Sequence, residues 1–329
     1  MDTGTHFAFG FGLAGLSQLD PAVAGDPWTS AAVLVGAVAG SQAPDFDMLL
    51  RLKGNAAYVR NHRGLSHSIP AWFIWTALIG GAVWLFFPGV SFTTIALWVF
   101  AAVLIHVLTD LFNSYGTQAF RPFTKRWIAW NIIHIFDPVI FGSHVVAVLL
   151  WLSGMAAPSA VFPLLYGFIA VYYAARTIQH AAVQRRLPKR DPQHEPGDRY
   201  TAIPTVSLTV WNVVKRMQGR SESFAVGEWK AGRLTWNDVL TCDSHPAVAA
   251  SRNHPDVAAL LSFSSYACAS VDERGWGYEV RWVDVRYQYR KQYPFVAVLR
   301  MDRSLRPLES YIGWISEEKL ERRLDTGMS

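Results

Sequence analysis

His106 and Asp110 are four residues apart in the stretch LIHVLTDLFNSYGT (104–117), at the end of an apolar run. On a helix this spacing places both side chains on one face, one turn apart, so an imidazole and a carboxylate can bind the same partner. Ionisable groups this close to a membrane helix are costly, and they usually face a bundle interior where a partner or an ion compensates them. A hydrogen-bonded bridge between two helices is the alternative interpretation of the pair.

Further imidazole and carboxylate groups lie in three other segments. These are His6, then Asp45 and Asp47 in APDFD, then His62, Arg63 and His67 in NHRGLSHS. Taken singly, each is explained as a loop or interfacial residue. If the helices cross a membrane alternately, however, these segments and the HxxxD pair all reach the same membrane face. This convergence predicts a shared metal site with the ligands His6, Asp45, His67, His106 and Asp110.

Imidazole and carboxylate ligands without thiolates suit zinc, with manganese and iron as alternatives, and the number of candidates allows one or two divalent ions. Such an ion lowers the pKa of a bound water, and the resulting hydroxide would attack an ester or phosphoester. Asp47 or His62 would act as the base or would orient a ligand. The Arg63 guanidinium would bind a substrate phosphate or carboxylate, or it is one more basic residue of a cytoplasmic loop.

The elements that must position these residues are apolar helices. Hydrophobic residues make up 51% of the chain and charged residues 17%, which is too apolar for an ordinary soluble protein of 329 residues. Four runs approach the length of a bilayer-spanning helix, namely 69–87, 92–112, 138–157 and 159–180. Two shorter runs, 7–19 and 30–43, form either a packed hairpin or two short spans, and we favour spans. The prediction is a polytopic α-helical bundle of about six helices, some of them short.

Basic residues are concentrated in alternate loops. Loops 51–63, 121–126 and 185–190 are basic, whereas loop 88–91 is uncharged and loop 20–26 is acidic. The positive-inside rule therefore predicts an integral inner-membrane protein whose N-terminus and C-terminal domain are cytoplasmic. Nucleic acid is not expected as a partner, despite the net charge of +5, because the basic clusters lack the interleaved aromatic residues of such sites.

The composition changes after the last apolar run. We predict a membrane-embedded domain over 1–184, a basic and polar linker over 185–199, and a cytoplasmic domain over 200–329. Segments rich in β-branched and aromatic residues (206–214, 223–230, 278–290 and 295–301) predict strands, and 254–267 predicts a helix. The C-terminal domain should thus be mixed and mostly β. Its two cysteines, Cys242 and Cys268, are interpreted as reduced thiols.

Two sequence motifs are better explained by structure than by chemistry. Gly10, Gly12 and Gly15 match a dinucleotide-binding fingerprint, but no strand precedes them, so they are assigned to close helix packing, as are Gly36 and Gly40. The stretch GLSHS (64–68) resembles a nucleophile elbow, but it lacks the final glycine and the preceding strand. Ser66 and Ser68 are instead predicted to cap the following helix.

Together, His6, PDFD (44–47), HRGLSHS (62–68) and HVLTDLFNSYG (106–116) resemble the signature of membrane-bound metal-dependent hydrolases, which are described as LexA-regulated and inner-membrane-associated. The resemblance covers roughly the first 180 residues and implies a metal-dependent hydrolase activity. The order His, Asp, His, HxxxD is also distantly similar to that of zinc-dependent phospholipases C. Counterparts of the later ligands of those enzymes would have to be sought among His134, Asp137 and His144.

A location at headgroup depth makes membrane lipids the expected partners and an amphiphilic phosphoester the expected substrate. The alternative from another functional class is a non-catalytic transporter or metal-binding scaffold. Transporters place broken helices and polar groups near the membrane midplane, often in repeated halves. Here the polar groups are predicted at one face and no repeat is evident, which favours catalysis.

Overall fold

The computed structural model describes residues 1–219, 222–288 and 292–325. The chain divides into two compact units. The first contains residues 1–48, 62–180 and 204–206, and the second contains 49–61, 181–203 and 207–329. Residues 49–61, which lie between two apolar helices in the sequence, therefore belong to the second unit.

Helices form the part of the chain up to residue 190. They are α1 (Thr3–Leu16), α2 (Pro21–Ala24), α3 (Pro27–Gln42), α4 (Asn55–Asn61), α5 (Ile69–Phe86), α6 (Phe92–Leu111), α7 (Pro138–Leu152) and α8 (Pro158–Arg190). Three 3-10 segments among the described residues, Ser17–Leu19, Ala43–Lys53 and Leu65–His67, interrupt the series. Residues 185–190, which the sequence assigned to a linker, form the last turns of α8.

Aspartate residues fix where several helices begin. The Asp26 and Asp137 carboxylates accept hydrogen bonds from backbone N–H groups in the first turns of α3 and α7, and a proline occupies the first turn of each helix. The predicted cap of α5 is wrong. Ser68 occupies the N-cap position but makes no side-chain cap bond; its hydroxyl donates to the Leu65 carbonyl instead.

In the part of the chain that the structure describes, three helices are long and apolar enough to cross a membrane, namely α5, α6 and α8. The prediction of about six spans is not supported. Helix α7 ends after 15 residues, and α1 and α3 have 14 and 16 residues. At 1.5 Å of rise per residue these lengths correspond to roughly 21–24 Å, below the ~30 Å of a bilayer core.

Glycine residues allow close approach between α1, α3 and α6. A Cβ atom at Gly10 would lie 2.9 Å from the Val38 Cα on α3, and one at Gly40 would lie 3.0 Å from the Val99 carbonyl oxygen on α6. Contacts this short leave no room for a side chain. The glycine pattern thus has the helix-packing role that the sequence predicted.

The second unit contains two antiparallel sheets, with strand orders β1-β2-β3-β4 and β5-β6-β7-β8. The strands are β1 (Arg199–Pro204), β2 (Val210–Met217), β3 (Ser223–Lys230), β4 (Arg233–Thr241), β5 (Ala267–Arg274), β6 (Gly277–Asp284), β7 (Phe295–Asp302) and β8 (Pro307–Trp314). Helices α9 (Pro246–Ser251), α10 (Pro255–Phe263) and α11 (Glu317–Asp325) accompany them. The mixed, mostly β composition agrees with the prediction. Residues 289 and 290 of the predicted 278–290 strand lie outside the described residues.

Cys242 and Cys268 form a disulfide, so the prediction of two reduced thiols is wrong for this structure. The sequence separation of 26 residues gave no indication of proximity. Pairing results from the fold, which places Cys268 on β5 next to Cys242, the residue after β4. Cys242, Cys268 and Val283 belong to the same apolar cluster of the second unit.

We expect Gly10→Ala to destabilise the helical unit by about 1–3 kcal/mol, because the added methyl forces α1 away from α3. Gly81→Ala on α5 is the matched control, since no atom lies within 4 Å of its Cβ position. The control should be neutral or stabilising by up to about 1 kcal/mol through helix propensity. Thermal unfolding in detergent measures both, and equal effects would contradict the packing role of Gly10.

Candidate metal centre

Four side chains from three separated segments converge inside the helical unit. Asp45 lies in the 3-10 segment after α3, His67 immediately precedes α5, and His106 and Asp110 are one turn apart on α6. One nitrogen or oxygen atom from each residue lies within 4.8 Å of the others. The side chains of His67, His106 and Asp110 are fully buried, whereas that of Asp45 is 17% exposed. The cluster is therefore accessible from the side of Asp45.

His106 has the protonation pattern of a metal ligand. Its Nδ1 lies 2.6 Å from the Ser41 carbonyl oxygen, which can only accept, so Nδ1 carries the proton. In the neutral ring, Nε2 then has its lone pair available. It faces the Asp45 Oδ1 and the Asp110 Oδ2, each 3.6 Å away. Holding one ring nitrogen on a carbonyl while the other faces an ion is the usual arrangement around a ligating histidine.

Two of the converging atoms lack a hydrogen bond. Within the described part of the chain, neither His106 Nε2 nor Asp45 Oδ1 has a hydrogen-bond partner, although both are buried. A buried acceptor without a partner costs about 1–3 kcal/mol, and more when it is charged. Because both atoms are acceptors, they cannot satisfy each other. A cation between them would satisfy both, so these residues fit a divalent metal ion.

His67 provides a second imidazole to the cluster. Its Nε2 lies 3.3 Å from Asp110 Oδ2 and 3.7 Å from Asp45 Oδ1, and its Nδ1 lies 2.9 Å from the Ser66 hydroxyl. Burial lowers the pKa of His67 well below its usual value, and the nearby positive charge of Arg63 contributes to this decrease. The ring is thus neutral and able to ligate.

Asp45 is ionised in spite of its burial. Burial alone would raise the pKa of its carboxyl group, but the neighbouring His106 ring and the Arg63 guanidinium outweigh that effect and lower the pKa below its usual value. A carboxylate with one oxygen free of hydrogen bonds is a strong ligand for a divalent ion. Asp45 therefore brings negative charge to the most accessible side of the cluster.

Asp110 is more strongly engaged with the protein than Asp45. Its Oδ2 lies 3.3 Å from Arg63 Nε, and its Oδ1 accepts a hydrogen bond of 3.1 Å from Asn113 Nδ2. The Met1 amino group forms a further ion pair with Oδ1. The Arg63 guanidinium therefore already lies against this carboxylate, and Asp110 can join an ion only by sharing it with Arg63.

His6 lies beside the four residues but is not one of them. Its ring stacks on the His106 ring, with centroids 3.6 Å apart, and its Nε2 lies 3.4 Å from Asp110 Oδ1. Nε2 is also 2.8 Å from the Met1 amino nitrogen. The structure thus brings all five predicted ligands together, with His6 against Asp110 at the buried side of the cluster.

A second group of possible ligands consists of Asp45, Asp47 and His62. The Asp47 Oδ1 lies 2.6 Å from His62 Nδ1, while Oδ2 accepts the Arg63 backbone N–H at 2.9 Å and the Ser66 hydroxyl. The Asp47 side chain is 7% exposed and that of His62 is 24% exposed. Asp47 thus orients His62 and fixes the loop that carries His67.

Arg63 faces the interior of the unit. It has a positive φ of 61°, and its backbone N–H is held by Asp47. Its Nη1 donates to Asn113 Oδ1 at 3.2 Å and its Nη2 donates to the Met1 carbonyl at 3.1 Å. Only 4% of the residue is exposed. These contacts favour a role as charge partner of Asp110 over direct binding of a substrate anion.

Several polar residues around the centre have roles that sequence patterns did not indicate. Ser66, predicted as a helix cap, bonds Asp47 and His67, and the Ser41 carbonyl orients His106. His134, Asp137 and His144 are the residues considered as counterparts of the later phospholipase C ligands. Among the described residues, they belong to neither group of possible ligands. Asp137 caps α7, and His144 bonds the Ile140 carbonyl of its own helix.

Comparison with known proteins gives similarity over the whole chain. A family described as YdjM inner membrane protein matches residues 1–183, and the YfhP C-terminal alpha/beta plait domain matches residues 246–324. The chain is 40% identical to the uncharacterized protein YfhP of Bacillus subtilis (strain 168) over 332 aligned positions, which cover 99% of each protein. No solved structure matches the chain. The first family match therefore covers most of the helical region, and the second covers the sheet β5–β8 and its accompanying helices.

The metal content of purified protein tests the centre. We expect the wild type to retain about one to two equivalents of a divalent ion and His106→Gln to bind it at least tenfold more weakly, since a ligand and its lone pair are lost. His134→Gln, a histidine outside both groups, is the control. Elemental analysis and chelator competition provide the values. Equal metal affinity in wild type and His106→Gln would show that the cluster is a hydrogen-bonded bridge instead.

Proposed function

The chain belongs to the YdjM inner membrane protein family, and on that premise we propose that it is a metal-dependent hydrolase of the membrane. Its substrate would be an ester or phosphoester of an amphiphilic molecule at the membrane interface. Family membership and the apolar helices give membrane association, and the buried His/Asp cluster gives a possible metal site. Hydrolysis, zinc as the ion and a cytoplasmic location of the site are our proposals. The similarity of motif order to zinc-dependent phospholipases C is in keeping with them.

The observation that carries the proposal is the pair of buried acceptors without hydrogen bonds, His106 Nε2 and Asp45 Oδ1. A purely structural bridge would place a donor between a histidine and a carboxylate. Here the donor is directed away, to the Ser41 carbonyl, and two lone pairs face the same space. The two acceptors without hydrogen bonds destabilise the cluster, and a bound cation would remove this destabilisation. Such an arrangement is typical of sites preorganised for a metal.

The number of ligands decides whether such a centre can be catalytic. Zinc held by four protein groups is a closed, structural site, whereas catalytic zinc has three protein ligands and an open position. Asp45, His67 and His106 provide three ligands, and Asp110 is retained by Arg63 and Asn113. We propose this division, with Asp110 and His6 outside the ligand set as its electrostatic support. These three residues would hold a divalent ion, which would supply Lewis acidity for activating a water molecule and polarising the attacked group.

The Asp47–His62 pair is our candidate for proton transfer. Asp47 holds His62 Nδ1 at 2.6 Å, which fixes the ring, and the ring centroids of His62 and His67 are 6.3 Å apart. His62 is the most exposed imidazole of the centre, so it can exchange protons with solvent. In this role Asp47 orients the base and His62 accepts the proton, as in other carboxylate-oriented histidines.

The role of His62 predicts a separation of metal binding from catalysis. We expect His62→Asn to reduce kcat by about 10²–10⁴-fold with unchanged metal content, because general base catalysis contributes about that much. His106→Gln should lose both metal and activity. Hydrolysis of phosphodiester and carboxylic ester substrates by the zinc-loaded and manganese-loaded full chain is the measurement.

The non-catalytic alternative gives a different result in the same experiment. A metal-binding scaffold would retain the ion in wild type and in His62→Asn and would hydrolyse no substrate of either class. A single turnover-competent substrate whose hydrolysis requires His106, and is slowed by His62→Asn, excludes it. His134→Gln should retain the wild-type rate.

Two observations give opposite indications of how the chain is oriented in the membrane. The basic loops predict a cytoplasmic C-terminal domain. Disulfides such as Cys242–Cys268 persist mainly outside the cytoplasm. We propose that the domain is cytoplasmic, because the positive charge is spread over three separate loops, 51–63, 121–126 and 185–190.

Rapid alkylation of whole cells tests this orientation. Because the chain contains only two cysteines, the double variant Cys242→Ser, Cys268→Ser is a cysteine-free background for Val239→Cys on β4, a position that is 58% exposed. A membrane-permeant maleimide should label this variant in whole cells, and an impermeant maleimide should not. The cysteine-free background is the unlabelled control. Labelling by the impermeant reagent would place the domain on the other side of the membrane.

A further inference from the structure

An apolar groove of about 660 Å³ lies in the helical unit between α1, α3 and the segment after α3. Its walls include Phe7 and Phe11 from α1, Val35 and Val38 from α3, and Phe46 from the 3-10 segment. Phe7, Val35 and Phe46 are 42–48% exposed. The volume is typical of a small-molecule site. The groove therefore offers an open apolar surface large enough for one ligand.

The groove reaches the metal centre through Asp45. This residue lines the groove and also belongs to both groups of possible metal ligands. It is the most exposed of the four side chains in the buried cluster. The polar residues that line the groove are Thr3 at the start of α1, Gln42 at the end of α3 and Asp45 in the 3-10 segment. A molecule in the groove would thus contact an apolar wall along its length and a proposed metal ligand at one end.

The dimensions of the groove favour a hydrocarbon chain as the occupant. The backbones of α1 and α3 are in contact beside Val38, a groove residue, since a Gly10 Cβ would lie 2.9 Å from the Val38 Cα, so the groove runs between two packed helices. Its walls are helical, and their backbone groups are bonded within the helices, so they offer no edge to an extended peptide. From Thr3 to Phe11 the wall extends about 12 Å along α1. An unbranched apolar chain fits this shape.

We propose that the groove binds the hydrocarbon chain of the substrate and thereby presents the adjoining ester or phosphoester group to Asp45 and the metal centre. The inference rests on the proposed hydrolase function and identifies its substrate class as a long-chain lipid ester or phosphoester. Burial of each methylene in the groove contributes about 0.8 kcal/mol to binding. Chain length should therefore determine KM, while the reacting group determines kcat.

A chain-length series tests the groove. Zinc-loaded or manganese-loaded full chain in phosphatidylcholine nanodiscs would be assayed with 4-methylumbelliferyl phosphodiesters and esters bearing chains of two to sixteen carbons. We expect KM to fall by up to about tenfold for every two added methylenes until the groove is filled. The groove variant is Val35→Trp, which fills the apolar space at a position that is already 48% exposed. It should raise KM for the long-chain substrates at least tenfold and leave the two-carbon substrates unchanged.

Val146→Trp is the matched control, because Val146 on α7 is 56% exposed and does not line the groove. A second variant, Phe7→Ser, removes part of the wall and should weaken long-chain binding in the same direction. Metal content and thermal unfolding confirm that each variant is folded. If Val35→Trp changes short and long substrates equally, or if Val146→Trp has the same effect, the groove is only lipid-facing surface and the inference is wrong.

A binding measurement distinguishes failure of the hydrolase proposal from failure of the groove proposal. A fluorescent sixteen-carbon phosphodiester that cannot be hydrolysed reports binding without turnover. We expect Val35→Trp to weaken its binding at least tenfold in the wild-type background and in His62→Asn. Absence of turnover with groove-dependent binding would reject the hydrolase alone. Turnover that is independent of chain length would reject the groove alone.

Discussion

The helical unit depends on burying two carboxylates, Asp45 and Asp110, a few ångströms apart among helices. A buried charge without compensation costs several kcal/mol, so each must meet positive charge or lose its own. Asp110 is compensated by the Arg63 guanidinium and the Asn113 amide. The nitrogens nearest to Asp45 Oδ1 are those of the His67 and His106 rings, and this oxygen has no hydrogen bond. The asymmetry supports our proposal that a cation would bind on the Asp45 side of the cluster and not on the Asp110 side.

Close helix packing is what holds the ligands in register. Gly40 lets α3 approach Val99 and Ala102 on α6, and Ala102 is one turn from His106. Because of this approach, the Ser41 carbonyl lies 2.6 Å from His106 Nδ1 and sets the tautomer of the ring. Ser41 also lies next to Gly10 on α1, because a Cβ added at Gly10 would contact the Ser41 side chain. Gly40, together with Gly10 of the nucleotide-like fingerprint, thus allows the close packing that positions Ser41 against His106 in the candidate metal centre.

The sequence was sufficient for the parts of the centre that follow local rules. The i, i+4 spacing of His106 and Asp110 required a shared face, and the helix order placed Asp45 and His67 at the same level. Contacts between distant segments could not be derived. Ser66 was assigned to a cap because its partner Asp47 is 19 residues away, and Cys268 meets Cys242 only through the sheets of the second unit. Composition alone also overestimated the spans, because the apolar run 138–157 contains a helix end at Leu152.

The position of Asp45 determines which side of the cluster is accessible. Three of the four clustered side chains are fully buried and come from α6 or from the turn that Asp47 fixes against His62 and Arg63. Asp45 instead comes from a 3-10 segment, where backbone hydrogen bonds are weaker than in an α-helix, and it borders the apolar groove. In the proposed centre, His67 and His106 would define the position of an ion, while Asp45 would adjust to an arriving substrate. We therefore place access, ligand exchange and chain binding of the proposed hydrolase on the Asp45 side, because α6, Arg63 and His6 occupy other sides of the cluster.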